Sequence, residues 1–229
     1  MAFGSIMKFS VGELEIELSP LTKEVMGEYI SHEHSGGIQS LAVNRYVSRQ
    51  TAPTLEDELE WFERTRTEKD TIVWGIWVKE SSGKVLIGGT SIFNIGTYGH
   101  APMFRSGETG SMIFRQDYWA RGIASAIHKA RTWYAFQHLG LNILKSAVLQ
   151  PNTGSRKALE RSGYVVTRTV RNEQYIEGTL YHLDWLECLN PLDLFWSLWW
   201  HNESPPKASL DARKVTEKAM EWAEKNVTL

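Results

Sequence analysis

The sequence is short of several things, and each shortage removes a class of protein. Cys188 is the only cysteine in 229 residues, so no intramolecular disulfide can form and a reducing cytoplasm is the expected setting. Nowhere do 18 apolar residues run uninterrupted, which argues against a membrane-spanning helix. Met1 to Phe9 has no extended apolar core of the kind a secretory signal needs. Neither sign of charge dominates: 25 Lys and Arg face 27 Asp and Glu, a net charge of −2. That balance gives no global reason to expect nucleic acid or an anionic membrane as partner. Internal repeats and low-complexity tracts are missing too, as are GxGxxG opening a βαβ unit and GxxxxGK[ST]. His32-Glu33-His34 has no Cys, His or Asp companions at ligand spacing; it reads as a polar loop, and no metal is expected.

What is present fits a soluble globular enzyme. Hydrophobic residues make up 42% of the chain, enough for one sizeable core plus an appendage. Leu14 to Leu18 alternates as an opening strand that Pro20 ends. A helix is predicted near 22–30. A second starts at Thr54-x-x-Asp57 and carries Leu59, Trp61 and Phe62 on one face. Strands are predicted over 71–78 and 84–95, joined by a hairpin-like turn, then a loop over 96–107 and a strand from Glu108 to Phe114. Ile123, Ile127, Ala130, Tyr134 and Leu139 recur at helical spacing, and Gly140 is the stop. A strand over 141–149, a break at Pro151-Asn152, a helix over 153–162 stopped by Gly163, and strands over 164–170 and 179–189 complete the pattern. This order predicts a mixed α/β fold, α+β in its strand pairing, with helices on both faces of a partly antiparallel sheet.

The chemistry is concentrated between Phe114 and Tyr164. Trp119-Ala120-Arg121-Gly122-Ile123-Ala124 has no bulky side chain at 120, 122 or 124 and runs into a helix. Such a turn leaves successive backbone N–H groups uncovered, and the helix N-terminus adds roughly half a positive charge. It can hold a phosphate, with Arg121 and Ser125 in reach of its oxygens and Arg156 or Lys157 in reach of a nucleotide.

Trp119-x-x-Gly122-x-Ala124 before a helix resembles the pyrophosphate loop of the GNAT superfamily of N-acetyltransferases, with Trp in place of the usual Gln or Arg. Tyr118-Trp119, Asn152-x-x-Ser155, Ile87-Gly88-Gly89 and Glu108-x-Gly110 are similar to the branch that resembles the acetyltransferases of ribosomal-protein N-termini. The likeness is strong over 108–164 and covers about 14–189. It implies a largely antiparallel sheet whose parallel central strands splay to hold acetyl-CoA as co-substrate, and direct acetyl transfer to a primary amine: a protein N-terminus or a small-molecule amine.

The resemblance implies an oxyanion donor among the backbone amides of Met112, Ile113 and Phe114, freed by a bulge. It also places Ser155 beside the sulfur, as acid or hydrogen-bond donor, with Asn152 fastening the pantetheine arm; either residue also suits a helix cap. The cofactor set is then Met112, Ile113, Phe114, Trp119, Ala120, Arg121, Gly122, Ile123, Ala124, Ser125, Asn152, Ser155 and Lys157. Two carboxylates compete as base: Glu108 at the start of its strand, and Glu173 in the segment between the last two strands. Cys188, among Trp185, Leu186 and Leu189, reads as a buried structural thiol, while His128 and His138 read as surface or boundary residues of the long helix.

The acetyltransferase pattern ends at Leu189, giving a domain over 1–189 and an extension over 190–229. Phe195-Trp196-Ser197-Leu198-Trp199-Trp200 is too short to span a bilayer. Its rings are expected to dock on the same chain or across a homodimer, followed by a helix over 209–226 with Ala212, Val215, Ala219, Trp222 and Ala223 on one face. A CoA-binding sensor without turnover, and an interaction module built on the Trp-rich tail, are the alternatives to an enzyme.

Overall fold

The structure is a computed structural model that describes residues 4–30, 37–47 and 53–229; His32-Glu33-His34 lies outside them. The chain divides into two compact units: Met1–Asn94 with Thr109–Ile123 and Val227–Leu229, and Ile95–Glu108 with Ala124–Asn226.

The first unit is built on antiparallel strands β1 (Met7–Val11), β2 (Leu14–Ser19), β3 (Ile72–Glu80) and the start of β4 (Gly83–Tyr98). The period-2 pattern sets their faces: Met7, Phe9, Ile16 and Leu18 are buried while Lys8 and Glu15 are exposed. β1 precedes the strand expected to open the sheet. It pairs with β2 across the Gly12-Glu13 turn and with Thr228 on its other side, through two backbone bonds of 2.8 and 2.9 Å. Helices α1 (Met26–Ile30), α2 (Leu41–Asn44) and α3 (Leu55–Thr65) complete the unit. The capping box starting α3 is present as read: the Asp57 amide donates to Thr54 Oγ1 and the Thr54 amide to Asp57 Oδ2. Met26, Tyr29, Ile38, Phe62 and Phe114 form the core, with Tyr29 edge-on to Phe114 at 5.2 Å.

In the second unit β5 (Ala101–Ile113) meets β6 (Ile143–Leu149) in a parallel ladder of three pairs, Ser106↔Ile143, Gly107↔Leu144 and Glu108↔Lys145. β6 pairs antiparallel along its whole length with β8 (Thr179–Leu189), and β8 with β7 (Val165–Ile176). Across the chain the order is β1-β2-β3-β4-β5-β6-β8-β7, eight strands with β5–β6 as the parallel pair. The 96–107 segment, expected as a loop, belongs instead to the long β4 and β5 strands around Gly99-His100, where Gly99 has φ +54°. Its Gly- and Pro-bearing sequence does not alternate, which hides the strands.

Helix α4 (Ile123–Gln137) buries Ile123, Ile127, Ala130 and Tyr134, the expected stripe. His128 departs from expectation: it is buried, and Arg131 Nη2 donates to its Nδ1 at 2.7 Å. Desolvation, with the charge of Arg131, pushes its pKa well below the ordinary imidazole value. Helix α5 spans Thr153–Glu160. The Trp-rich segment contains α6 (Asp193–Trp199), whose Phe195 and Trp196 are buried in a cluster with Ile143, Tyr98 and Phe104. Helix α7 (Lys207–Asn226) buries Thr216, Ala219 and Ala223.

Gly163, at φ +90°, is where α7 comes closest to the turn before β7: a Cβ there would overlap Thr216 Oγ1 and stand 2.9 Å from the Ala212 carbonyl oxygen. Gly163→Ala is therefore expected to destabilise the fold by about 2 kcal/mol or more in urea unfolding. Adding Thr216→Ala should recover only part of that loss, because the backbone conflict and the left-handed φ remain.

Candidate active site

In the first unit, the end of β5 leads through a short 3-10 turn (Gln116–Tyr118) to the start of α4. β4 and β5 approach so closely at Gly88 that a Cβ there would collide with the Met112 carbonyl and lie 2.9 Å from Ile113 Cα. The Phe114 and Arg115 amides both donate to the Ile87 carbonyl, at 2.9 and 3.3 Å. The Phe114 amide is thus engaged, which leaves Met112 and Ile113 of the three positions named for an oxyanion donor. Trp119 reaches back, its indole Nε1 donating to the Ile113 carbonyl at 2.8 Å, so strand end and turn are tied together.

The turn itself is exposed from Trp119 to Gly122. Ala120 and Gly122 are left-handed, with φ of +59° and +83°, a backbone alternation that gathers N–H groups into an anion-binding concavity. Beneath it Tyr118 is buried, its hydroxyl donating to Glu80 Oε1, with the Arg115 and Arg121 guanidiniums 5.4 and 5.3 Å from its ring. Burial first, then the bond to Glu80, push the phenol up to about 12. Tyr118 is a neutral post under the turn. Helix α4 begins at Ile123 with no acidic residue in its first turn, so its leading amides and dipole are not neutralised locally.

In the second unit, Ala124 and Ser125 are half-buried on the first turn of α4, and Arg161 Nη1 donates to Ser125 Oγ at 3.4 Å. Arg161, absent from the sequence expectation, stands one turn beyond Lys157 at the end of α5; no sequence spacing relates it to Ser125. Asn152 is the N-cap of α5: its Oδ1 accepts from the Ser155 amide at 3.2 Å. Ser155 is half-buried on the first turn and Lys157 is exposed. Arg156 is committed elsewhere than a nucleotide, to Asp184 Oδ2 at 2.5 Å and Glu160 Oε1 at 3.0 Å.

Asp184, 2% exposed on β8, also accepts from Thr169 Oγ1 at 2.6 Å and Gln150 Nε2 at 3.1 Å. Gln150 and Arg156 flank Pro151-Asn152 and Ser155, so one carboxylate holds the turn and helix start from both sides. Burial alone would raise the carboxyl's pKa. The bonds from Thr169 and Gln150 and the charge of Arg156 outweigh it, leaving the carboxyl below its ordinary value.

Of the two carboxylates expected as base, Glu108 is half-exposed where the parallel ladder ends, in register with Lys145. Glu173 lies within β7, not between strands, in a register break over Val170/Gln174 that contains left-handed Asn172. Glu173 is exposed there. Cys188 is fully buried, its Sγ 3.4 Å from the Ser162 carbonyl, and burial pushes the thiol up to about 12, a structural residue rather than a nucleophile. Among the described residues no group of three or more His, Cys, Asp or Glu could hold a metal, and no helix is long and apolar enough to cross a membrane.

A family model described as acetyltransferase (GNAT) domain matches residues 17–165. No curated protein is similar enough in sequence to match. Among solved structures, a spermidine N-acetyltransferase from Vibrio cholerae in complex with CoA and spermine is 17% identical with a TM-score of 0.62, over 76% of this chain and 95% of that one. Mycobacterium smegmatis RimJ in complex with CoA-disulfide is 16% identical with a TM-score of 0.61, over 94% of each chain. A GCN5-related N-acetyltransferase from Brucella melitensis is 19% identical with a TM-score of 0.62, over 94% of this chain and 85% of that one. At these identities the likeness shows the fold.

The Asp184 network sets a pH dependence. A carboxyl held below its ordinary 3.8 contributes stability that is present above that value and lost as pH falls through the lower folded pKa. Asp184→Asn is expected to cost about 2 kcal/mol at pH 7. Urea unfolding of variant and parent should converge as the solution is acidified below pH 3.8.

Proposed function

We propose that this chain, which belongs to the acetyltransferase (GNAT) family, moves an acetyl group from acetyl-CoA to a primary amine by direct attack, without a covalent enzyme intermediate. The observation that carries this reading is the exposed left-handed turn Trp119–Gly122 leading into a helix whose first turn has no acid. Its amides, continued along α4 by those of Ile123, Ala124 and Ser125, take the diphosphate of acetyl-CoA with Arg121 as the cation on the turn; Lys157 and Arg161 are the candidate cations of the second unit.

The neutral amine attacks the thioester carbon, giving a tetrahedral oxyanion and an ammonium. The Phe114 amide being engaged by the Ile87 carbonyl, the oxyanion is assigned to the backbone amides of Met112 and Ile113. Glu108 takes the ammonium proton, directly or through water; Glu173 is the competing base. Collapse of the intermediate breaks the C–S bond, and the departing thiolate receives a proton or hydrogen bond from the Ser155 hydroxyl. Asn152 uses its amide to hold the pantetheine arm, its side-chain oxygen already serving the cap. The acceptor is a protein N-terminus or a small-molecule amine. The polyamine named with the Vibrio relative makes spermine and spermidine the first small amines to test.

The test is a CoA-release assay over a panel of N-terminal peptides, polyamines, amino acids and aminoglycosides, beside calorimetry with CoA. Acceptor-dependent release is expected; saturable CoA binding without it would leave a CoA-binding sensor, and neither would remove the family activity from this chain. Gly122→Val, forced to hold a branched side chain at φ +83°, should lower kcat/KM for acetyl-CoA by about 100-fold or more. Glu108→Gln should lower kcat by about 100-fold or more, with Glu173→Gln close to the parent. Full kcat for Glu108→Gln at every pH would move the base to Glu173.

A further inference from the structure

On the transferase reading, the first unit holds acetyl-CoA at two places, its diphosphate on the exposed turn Trp119–Gly122 and its oxyanion on the amides of Met112 and Ile113 at the end of β5. A thioester anchored at one place is aligned at the other only if the chain between them does not give. That chain is short: Ile113 and Trp119 are six positions apart, and the link is the 3-10 turn Gln116–Tyr118, whose bonds have poorer geometry than those of an α-helix.

The Trp119 side chain closes the link. Its Nε1 donates to the Ile113 carbonyl at 2.8 Å, and the other polar atom of the same peptide, the Phe114 amide, donates to the Ile87 carbonyl at 2.9 Å. The Ile113–Phe114 peptide is therefore held from both sides, by the turn and by β4. Ile87 also accepts the Arg115 amide at 3.3 Å, and the Arg115 carbonyl accepts the Tyr118 amide at 3.1 Å. Beside Ile87, Gly88 lets the strand end lie so close that a Cβ there would stand 2.9 Å from Ile113 Cα. The end of β5 is thus fixed on β4, and the indole ties the turn back to it. The ring is 42% exposed, so the contact that sets this side chain apart from a Phe is its N–H bond.

We propose that Trp119 is a positioning residue: through Nε1 on the Ile113 carbonyl it carries the turn's hold on the diphosphate to the end of β5, and so aligns the thioester with its oxyanion donors. The inference rests on the transferase reading and adds to it the route by which diphosphate binding raises kcat. Contacts with a part of the substrate that does not react speed the chemical step only where geometry transmits them to the reacting atoms. Here the transmitting part is one side-chain hydrogen bond, and Trp119 itself touches neither the thioester carbon nor the oxyanion.

The test compares acetyl-CoA with S-acetylpantetheine, which carries the same thioester arm without the diphosphate, in the full chain with spermine or, where spermine is not acetylated, the best acceptor of the peptide and amine panel. In the parent, kcat with acetyl-CoA should exceed kcat with S-acetylpantetheine by about tenfold or more. Trp119→Phe, which keeps a ring and loses the N–H, should cut that ratio about fivefold by slowing acetyl-CoA alone. Its calorimetric affinity for CoA should stay within about twofold of the parent's, because the amides of the turn and Arg121 remain, and that binding also shows the variant to be folded. Trp119→His, whose five-membered ring can place an N–H where the indole has its own, should restore most of the ratio although it is the smaller side chain. A packing role would rank Phe above His, and a role confined to supporting the turn would raise KM and weaken CoA binding with kcat unchanged. Either result overturns the proposal, as does a ratio equal in the parent and the Phe variant. A parent that turns over neither donor removes the transferase reading and this inference together, whereas turnover with an unmoved ratio removes this inference alone.

Discussion

A buried carboxylate with three donors organises the second unit's part of the site. Asp184 would be expensive to hide alone. Thr169, Gln150 and Arg156 make its burial tolerable, and they come from β7, the end of β6 and α5. Three elements that sequence separates are thereby required to meet in one arrangement. The segment caught between two of these contacts is Pro151 to Ser155, where Asn152 caps the helix and Ser155 stands on its first turn. A cap fixes the orientation of one helix end; the anchored flanks fix where that end lies on its sheet. The carboxylate therefore acts through the backbone that its partners hold.

The first unit solves a different problem, that of leaving a turn exposed between a strand end and a helix start. A strand end and a helix start normally hide their amides in ladders or under side chains. Here Ala120 and Gly122 turn left-handed, at a cost that Gly122 avoids and Ala120 bears. The conformation is held from below by Tyr118 on Glu80 and from behind by Trp119 on the Ile113 carbonyl. Trp119, the position where the wider superfamily motif has Gln or Arg, thus has a use of its own: an indole N–H reaches the strand carbonyl, and the ring is left partly exposed at 42%.

Local signals were the legible ones. The capping box of α3, the stripe of α4, the Pro151-Asn152 break and the Gly-x-Ala turn all depend on residues within a few positions of each other, and these stand where the sequence placed them. Features that depend on distant partners were not readable. β1 carries a weak alternation whose partners are β2 and Thr228. His128 seemed a boundary residue because its helical neighbours are mixed, and it is buried beside Arg131. Arg161 meets Ser125 from 36 residues away, and Arg156 turned from a nucleotide candidate into the partner of Asp184. In each case a tertiary contact overrides what composition and spacing suggest.

The aromatic tail shows how far local reading can go and where it stops. Its rings were too many to leave in water and too few in sequence to cross a bilayer, which left docking as the physical solution. Phe195 and Trp196 go into the cluster with Tyr98, Phe104 and Ile143, and Trp196 Nε1 finds the Asn190 carbonyl at 2.9 Å. Trp200 does not achieve the same: its Nε1 is buried without an acceptor among the described residues, a cost that the Trp196 indole avoids.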